Sequence, residues 1–103
     1  MIKEINFDMD GTIADLYGCN GWLEDIIAED TRPYEQAKPL VNMSVLARLL
    51  NKKIASGYKV NVISWTAKNG SEEYNARVEE AKKQWLAKHL KSVRFSAVKV
   101  LPY

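Results

Sequence analysis

Two carboxylates set two residues apart, Asp8 and Asp10, stand directly after an apolar run and directly before Gly11. In extended backbone the side chains of residues i and i+2 point the same way, so both acids would face one site. Gly11 can take the positive φ that turns a chain sharply, which lets backbone come close to a bound ion or anion. Hard carboxylate oxygens beside a tight turn suit a divalent cation. Mg2+ fits best, because it typically takes one or two carboxylates and fills its other positions with water and a substrate phosphate oxygen. Two other readings compete for the pentapeptide Asp8-Met9-Asp10-Gly11-Thr12. One is an ordinary Asp-Gly turn with solvated acids. The other, a calcium-binding helix-loop-helix, fails, since a loop starting at Asp8 puts Ile13 where Gly is required and Cys19 where the bidentate Glu is required. A second polar position, Ser64, closes another apolar run and is followed by Trp65 and Thr66.

The elements that must position these residues follow from periodicity. Residues 2–7 are β-formers that stop at the turn-prone Asp8–Gly11 cluster, which predicts a first strand ending at Asp8. Apolar residues at 22, 23, 26 and 27 predict a short helix, and residues 31–39, with two prolines, predict an irregular surface run. Positions 43, 46, 49, 50 and 54 repeat at helical spacing between Asn42 as N-cap and Gly57 as stop. Residues 58–64 read as a buried strand. Ser71 caps a long helix whose stripe is Tyr74, Val78, Ala81 and Trp85, and residues 93–101 predict a third strand. Strand, helices, strand, helix, strand is the pattern of a parallel sheet with right-handed crossovers, whose ligands bind beyond the carboxyl ends of the strands. Asp8, Ser64 and the residues after Leu101 should therefore converge. One domain spans residues 1–103, with a small helical cap-like insertion at about 16–42.

The pentapeptide after an apolar strand resembles the first motif of haloacid-dehalogenase-like phosphatases, and Ser64 at the end of the next expected strand resembles their second. Residues 5–103 as a whole are similar to small bacterial and phage proteins of that superfamily described as 5'-nucleotidases. The resemblance implies a three-layer, Rossmann-like α/β fold and Mg2+-dependent hydrolysis of a small phosphorylated substrate, with nucleoside monophosphates the leading guess. Asp8 would be the nucleophile that forms an aspartyl-phosphate, with its other oxygen on Mg2+. Asp10 would serve as general acid and then general base, its carbonyl also on the metal. Ser64 would hold the phosphoryl group, backbone groups near Asp10, Trp65 and Thr66 would complete the cradle, and Lys68 is an added candidate.

The same resemblance implies a lysine in a third motif and one or two acids after a fourth strand, and the sequence offers no counterpart. Lys99 falls inside the last expected strand, where its side chain would lie along a sheet face. The expectation is a sheet incomplete at its C-terminal edge, with weak or absent turnover unless another chain supplies the missing groups. Losing one preorganised charge stabiliser costs about 100- to 1000-fold in rate. A non-catalytic module that binds phosphate or a protein partner is the alternative, and an uncovered sheet edge predicts homodimerisation.

Composition narrows the remaining classes. Fifteen basic and thirteen acidic residues are dispersed and leave a net charge of +2, which gives no footprint for a nucleic-acid polymer or a membrane surface. Cys19 is the sole cysteine, which excludes an intramolecular disulfide and, with no basic or apolar leader, predicts an unprocessed cytoplasmic protein. Cys19 reads as a packed side chain, Trp85 as core, and His89 as a helix-end residue interacting with the last carbonyls. Lys52-Lys53 and Lys82-Lys83 read as solvated helix faces. Tyr17 and Trp22 lie in the insertion, where they would either pack or stack on a base.

Overall fold

Local signals and tertiary packing agree best in the two long helices of the computed structural model, which describes residues 3–103. Helix α3, Met43–Ala55, starts where the Asn42 side chain accepts the Val45 N–H at 3.1 Å and stops before Gly57, whose φ is 96°. Its Met43, Leu46, Leu50 and Ile54 face the core, as the spacing predicts, with Ala47 beside them, whereas Leu49 of the expected stripe stays 51% exposed. Helix α4, Glu72–His89, starts where Ser71 Oγ accepts the Tyr74 N–H at 3.1 Å, with Glu72 and Glu73 at its positive end and Lys88 and His89 at its negative end.

Three strands form a parallel sheet, and the expected boundaries hold within a few residues. Strand β1, Lys3–Phe7, pairs with β4, Tyr58–Trp65, from Lys3 opposite Tyr58 to Phe7 opposite Val62. Ile2, the first residue of the predicted strand, lies outside the described residues. Strand β4 pairs on its other side with β5, Ala97–Leu101, so β4 is central. The last strand begins at Ala97, four residues later than the sequence pattern predicts, because Val93 and Phe95 pack into the core before the pairing starts.

The three-layer arrangement is not what these residues build. Ile5, Phe7, Val60, Val62 and Val98 alternate onto one face of the sheet and pack with both α3 and α4. The opposite face carries Glu4, Asn6, Lys59, Asn61, Ile63 and Lys99 around an open cavity that no helical residue lines. Among the described residues the fold is therefore two-layered. The reason is topological: strand order β1-β4-β5 follows the chain, so two right-handed crossovers in one direction put both helices on the same side. The Asn6 and Asn61 amides answer the lack of cover by bonding to each other at 2.9 Å.

The segment between β1 and α3 is better ordered than its prolines suggest. Two short strands, β2 (Ala14–Asp15) and β3 (Lys38–Pro39), pair antiparallel and close its stem. Between them lie α1, Trp22–Ile27, and α2, Arg32–Gln36. The predicted irregular run over 31–39 is thus corrected: Pro33 sits in the first turn of α2, where its missing N–H costs nothing. Helix α1 has the predicted position, yet only Ile26 of its apolar stripe packs against a core cluster, and Ile27 stays 74% exposed.

Helix α4 holds the two halves together. Its Trp85 and Leu86 join the core under the sheet, whereas its Tyr74, Val78 and Ala81 join a second cluster with Leu16 and Tyr34 of the insertion. Polar ties reinforce the second contact: the Glu29 carboxylate accepts the Ser71 N–H at 2.7 Å and its hydroxyl at 3.0 Å, and Tyr74 Oη donates to Asp30 O at 2.9 Å. Trp85 Nε1 donates to Ala37 O at 2.7 Å. Among the described residues no helix is long and apolar enough to cross a membrane.

Candidate phosphate and metal site

Strand β1 ends at Phe7, and the turn that follows is built around one carbonyl. The N–H groups of Thr12, Ile13 and Ala14 all point at Met9 O, at 3.2, 3.0 and 3.0 Å, while Gly11 takes a φ of 76°. Any side chain at Gly11 would be strained by that φ and would start 3.2 Å from the Tyr17 ring. Met9 is buried in the core, so its neighbours Asp8 and Asp10 face the other way, together, as the i, i+2 spacing predicts. Asp8 Oδ1 accepts the Met9 N–H at 2.7 Å.

Asp8, Asp10, Ser64, Trp65 and Thr66, together with the added candidate Lys68, line one cavity of about 180 Å3 beyond the carboxyl ends of β1 and β4. Tyr17, Tyr34, Ala67 and Tyr103 complete its wall. That volume is below the 300–1,000 Å3 usual for whole small-molecule ligands. It suits a reacting group, with the rest of a ligand passing out over the rim at Tyr17, Trp65 and Tyr103.

Lys82 decides the electrostatics, and the sequence reading missed it. It is wholly buried, and its ammonium donates to Asp10 Oδ2 at 2.6 Å, Ser64 Oγ at 2.7 Å and Trp65 O at 2.7 Å. The Tyr34 ring lies 5.1 Å from the same nitrogen. The expectation of a solvated Lys82-Lys83 pair therefore holds for Lys83 and fails for Lys82. A signal was present in the spacing: residue 82 is four beyond Val78 and three before Trp85, on the buried stripe, and a lysine there needs a distant acid.

Burial raises the Asp10 carboxyl above its ordinary value, against the lowering influence of Lys82, and the Asp8 charge raises it further. Ser64 Oγ accepts from Lys82, which leaves the hydroxyl proton free to donate into the cavity. Thr66 lines the cavity with its amide already spent, since its N–H donates to Leu101 O at 2.9 Å. Trp65 contributes its carbonyl to Lys82 and, as a residue, stays 43% exposed at the rim.

The residues present fit a magnesium ion completed by non-protein oxygens. Two carboxylates meet one buried ammonium whose three protons all have protein partners, and Lys68, the other cation on the wall, lies by the Tyr103 ring, so a bound phosphate would gain from further positive charge. Among the described residues no group of three or more His, Cys, Asp or Glu side chains gathers anywhere, which argues against an all-protein metal cage. Two acids with water and a phosphate oxygen is the arrangement Mg2+ favours.

Other candidates separate cleanly from the cavity. Tyr17 lines it and meets Trp22 edge to face at 5.0 Å, whereas Trp22 itself packs outside. Cys19 Sγ points at Asp15 O and Pro33 O, and burial followed by the charges of Asp15 and Asp25 pushes its thiol up, the reverse of an activated nucleophile. His89 packs against Trp85 with ring centroids 4.3 Å apart and planes tilted by 42°, away from the site. Lys99 lines the open sheet face, as its place in the strand predicts.

Compared with protein-family models, curated proteins and solved structures, the chain matches none.

Proposed function

We propose that this chain is a magnesium-dependent phosphomonoester hydrolase with a Rossmann-like sheet, working in the manner of haloacid-dehalogenase-like phosphatases. The observation that carries the reading is the convergence of Asp8, Asp10 and Ser64 on one small cavity, with Lys82 bonded to both Asp10 and Ser64 beneath it. The substrate's phosphoryl group occupies that cavity, and the Ser64 hydroxyl donates to one of its oxygens. Asp8 Oδ2, the oxygen not held by the Met9 N–H, attacks phosphorus, and the bond from phosphorus to the leaving oxygen breaks. Asp10 Oδ1, the oxygen that Lys82 leaves free, gives its proton to that leaving oxygen, and burial eases the task by raising the carboxyl above its ordinary value against the pull of Lys82. Asp10 then takes a proton from the water that attacks the aspartyl-phosphate, and the release of phosphate restores Asp8.

Asp8 and Asp10 would hold Mg2+, which when bound supplies positive charge beside the phosphoryl oxygens. Lys82 takes the part of the lysine that the resemblance expects in a third motif, reaching the site from α4. Nucleoside monophosphates lead the substrate classes on the resemblance alone, and a cavity of phosphoryl size would leave the rest of such a substrate to the aromatic rim. A cytoplasmic setting suits the single thiol, and the free edges of β1 and β5 among the described residues support homodimerisation.

A non-catalytic phosphate-binding module is the second reading, favoured by the small number of acids at the cavity. Phosphate release from a panel of phosphomonoesters, with Mg2+ and again after chelation, separates the two. Release that stops on chelation supports the hydrolase. Phosphate binding with no release from any ester supports the module.

A further inference from the structure

The inserted segment brings two phenols to the cavity, the exposed Tyr17 at its rim and the buried Tyr34, and the chemistry above has no use for the Tyr34 hydroxyl. Tyr34 of α2 is only 5% exposed, lines the cavity with Asp8, Asp10 and Ser64, and makes no side-chain hydrogen bond among the described residues. Buried aromatic residues with a polar tip usually place that tip on a partner. Two other buried aromatics obey this: Tyr74 Oη reaches Asp30 O and Trp85 Nε1 reaches Ala37 O. The Tyr34 hydroxyl is not sealed off either, unlike Asn75 Oδ1 among the described residues, and the cavity is the opening that its residue lines. Its ring face is taken by the Lys82 ammonium at 5.1 Å, which fixes the side chain and leaves the hydroxyl as its only free function.

We propose that Tyr34 Oη donates a hydrogen bond to the phosphate group bound in this cavity, making the insertion part of the anion site alongside the strand ends. The inference rests on the phosphate-binding reading of the site, which the hydrolase and the module share. Burial, helped by the charges around it, pushes the phenol well above its ordinary value, so the group stays a donor across the neutral range. An anionic oxygen is the acceptor such a donor serves best, with a strength set by charge assistance.

Calorimetric titration of inorganic phosphate with Mg2+ into wild-type protein and Tyr34→Phe tests this, with melting temperatures of both recorded without phosphate. The phenylalanine keeps the ring against Lys82 and removes only the hydroxyl. The expected result is phosphate affinity weakened about tenfold, the scale of a hydrogen bond to a charged group, with an unchanged melting temperature. Equal affinity in the two proteins overturns the inference while leaving the phosphate site intact. A markedly lower melting temperature for Tyr34→Phe also overturns it, because the hydroxyl would then have a partner within the protein. If wild-type protein takes up no phosphate, the site reading itself falls and this inference falls with it.

Discussion

Lys82 and Asp10, 72 residues apart in the chain, form a 2.6 Å ion pair in which the lysine is wholly buried. The pair ties the second helix of the sheet layer to the turn after the first strand. Ser64 Oγ and Trp65 O share the same ammonium, so three segments are registered by one nitrogen. Removing one member of a buried pair strands the other charge. Lys82→Met is expected to destabilise the fold by about 3–5 kcal/mol, measured by urea unfolding. Lys82→Met combined with Asp10→Asn should recover part of that loss, since no carboxylate is then left unpaired. A strictly additive double variant would show that the two side chains do not depend on each other.

The Trp85–Ala37 bond fastens the base of the insertion to α4 inside the core. Trp85→Phe leaves a buried carbonyl without its donor, at a cost of about 1–3 kcal/mol, and removes ring volume besides. Denaturant unfolding should show the loss, and limited proteolysis should cut the variant first within the insertion. A variant as stable and as resistant as the wild type would mean that the insertion is held by other contacts.

Much of this architecture is legible in the sequence because its signals are local. Asn42 with Gly57, and Ser71 with its following acids, mark α3 and α4 within a residue or two, and the Asp8–Gly11 turn declares itself. What is hidden depends on distance. Lys82 looks like a surface lysine until Asp10 and Ser64 are brought to it, and Glu29 looks like a loop acid until Ser71 arrives from 42 residues away. Helix α2 is hidden for a different reason: prolines at 33 and 39 read as breakers, although one occupies a first turn and the other an edge strand. The uncovered sheet face follows from strand order, which periodicity alone does not give.

Tyr74 gives the fold an alkaline limit. Burial and the nearby Asp30 and Glu29 charges push its phenol from the ordinary 10.0 up to about 12. The folded state therefore favours the neutral phenol, and its contribution is fully present below pH about 10 and lost as the pH rises to about 12. The unfolding midpoint should fall across that interval, and Tyr74→Phe should make the fall shallower. An identical pH profile for the two proteins would show that Tyr74 is not the group responsible.

The central claim is that Asp8 attacks phosphorus, and phosphate release by wild-type protein and Asp8→Asn, side by side with Mg2+, tests it most directly. The amide is nearly the same size but lacks the nucleophilic oxygen's charge, so the fold should survive the change while turnover is abolished. Release by the wild type that disappears in Asp8→Asn is the result this account predicts. Release that persists in the variant, or no release by either protein from any phosphomonoester, would contradict it.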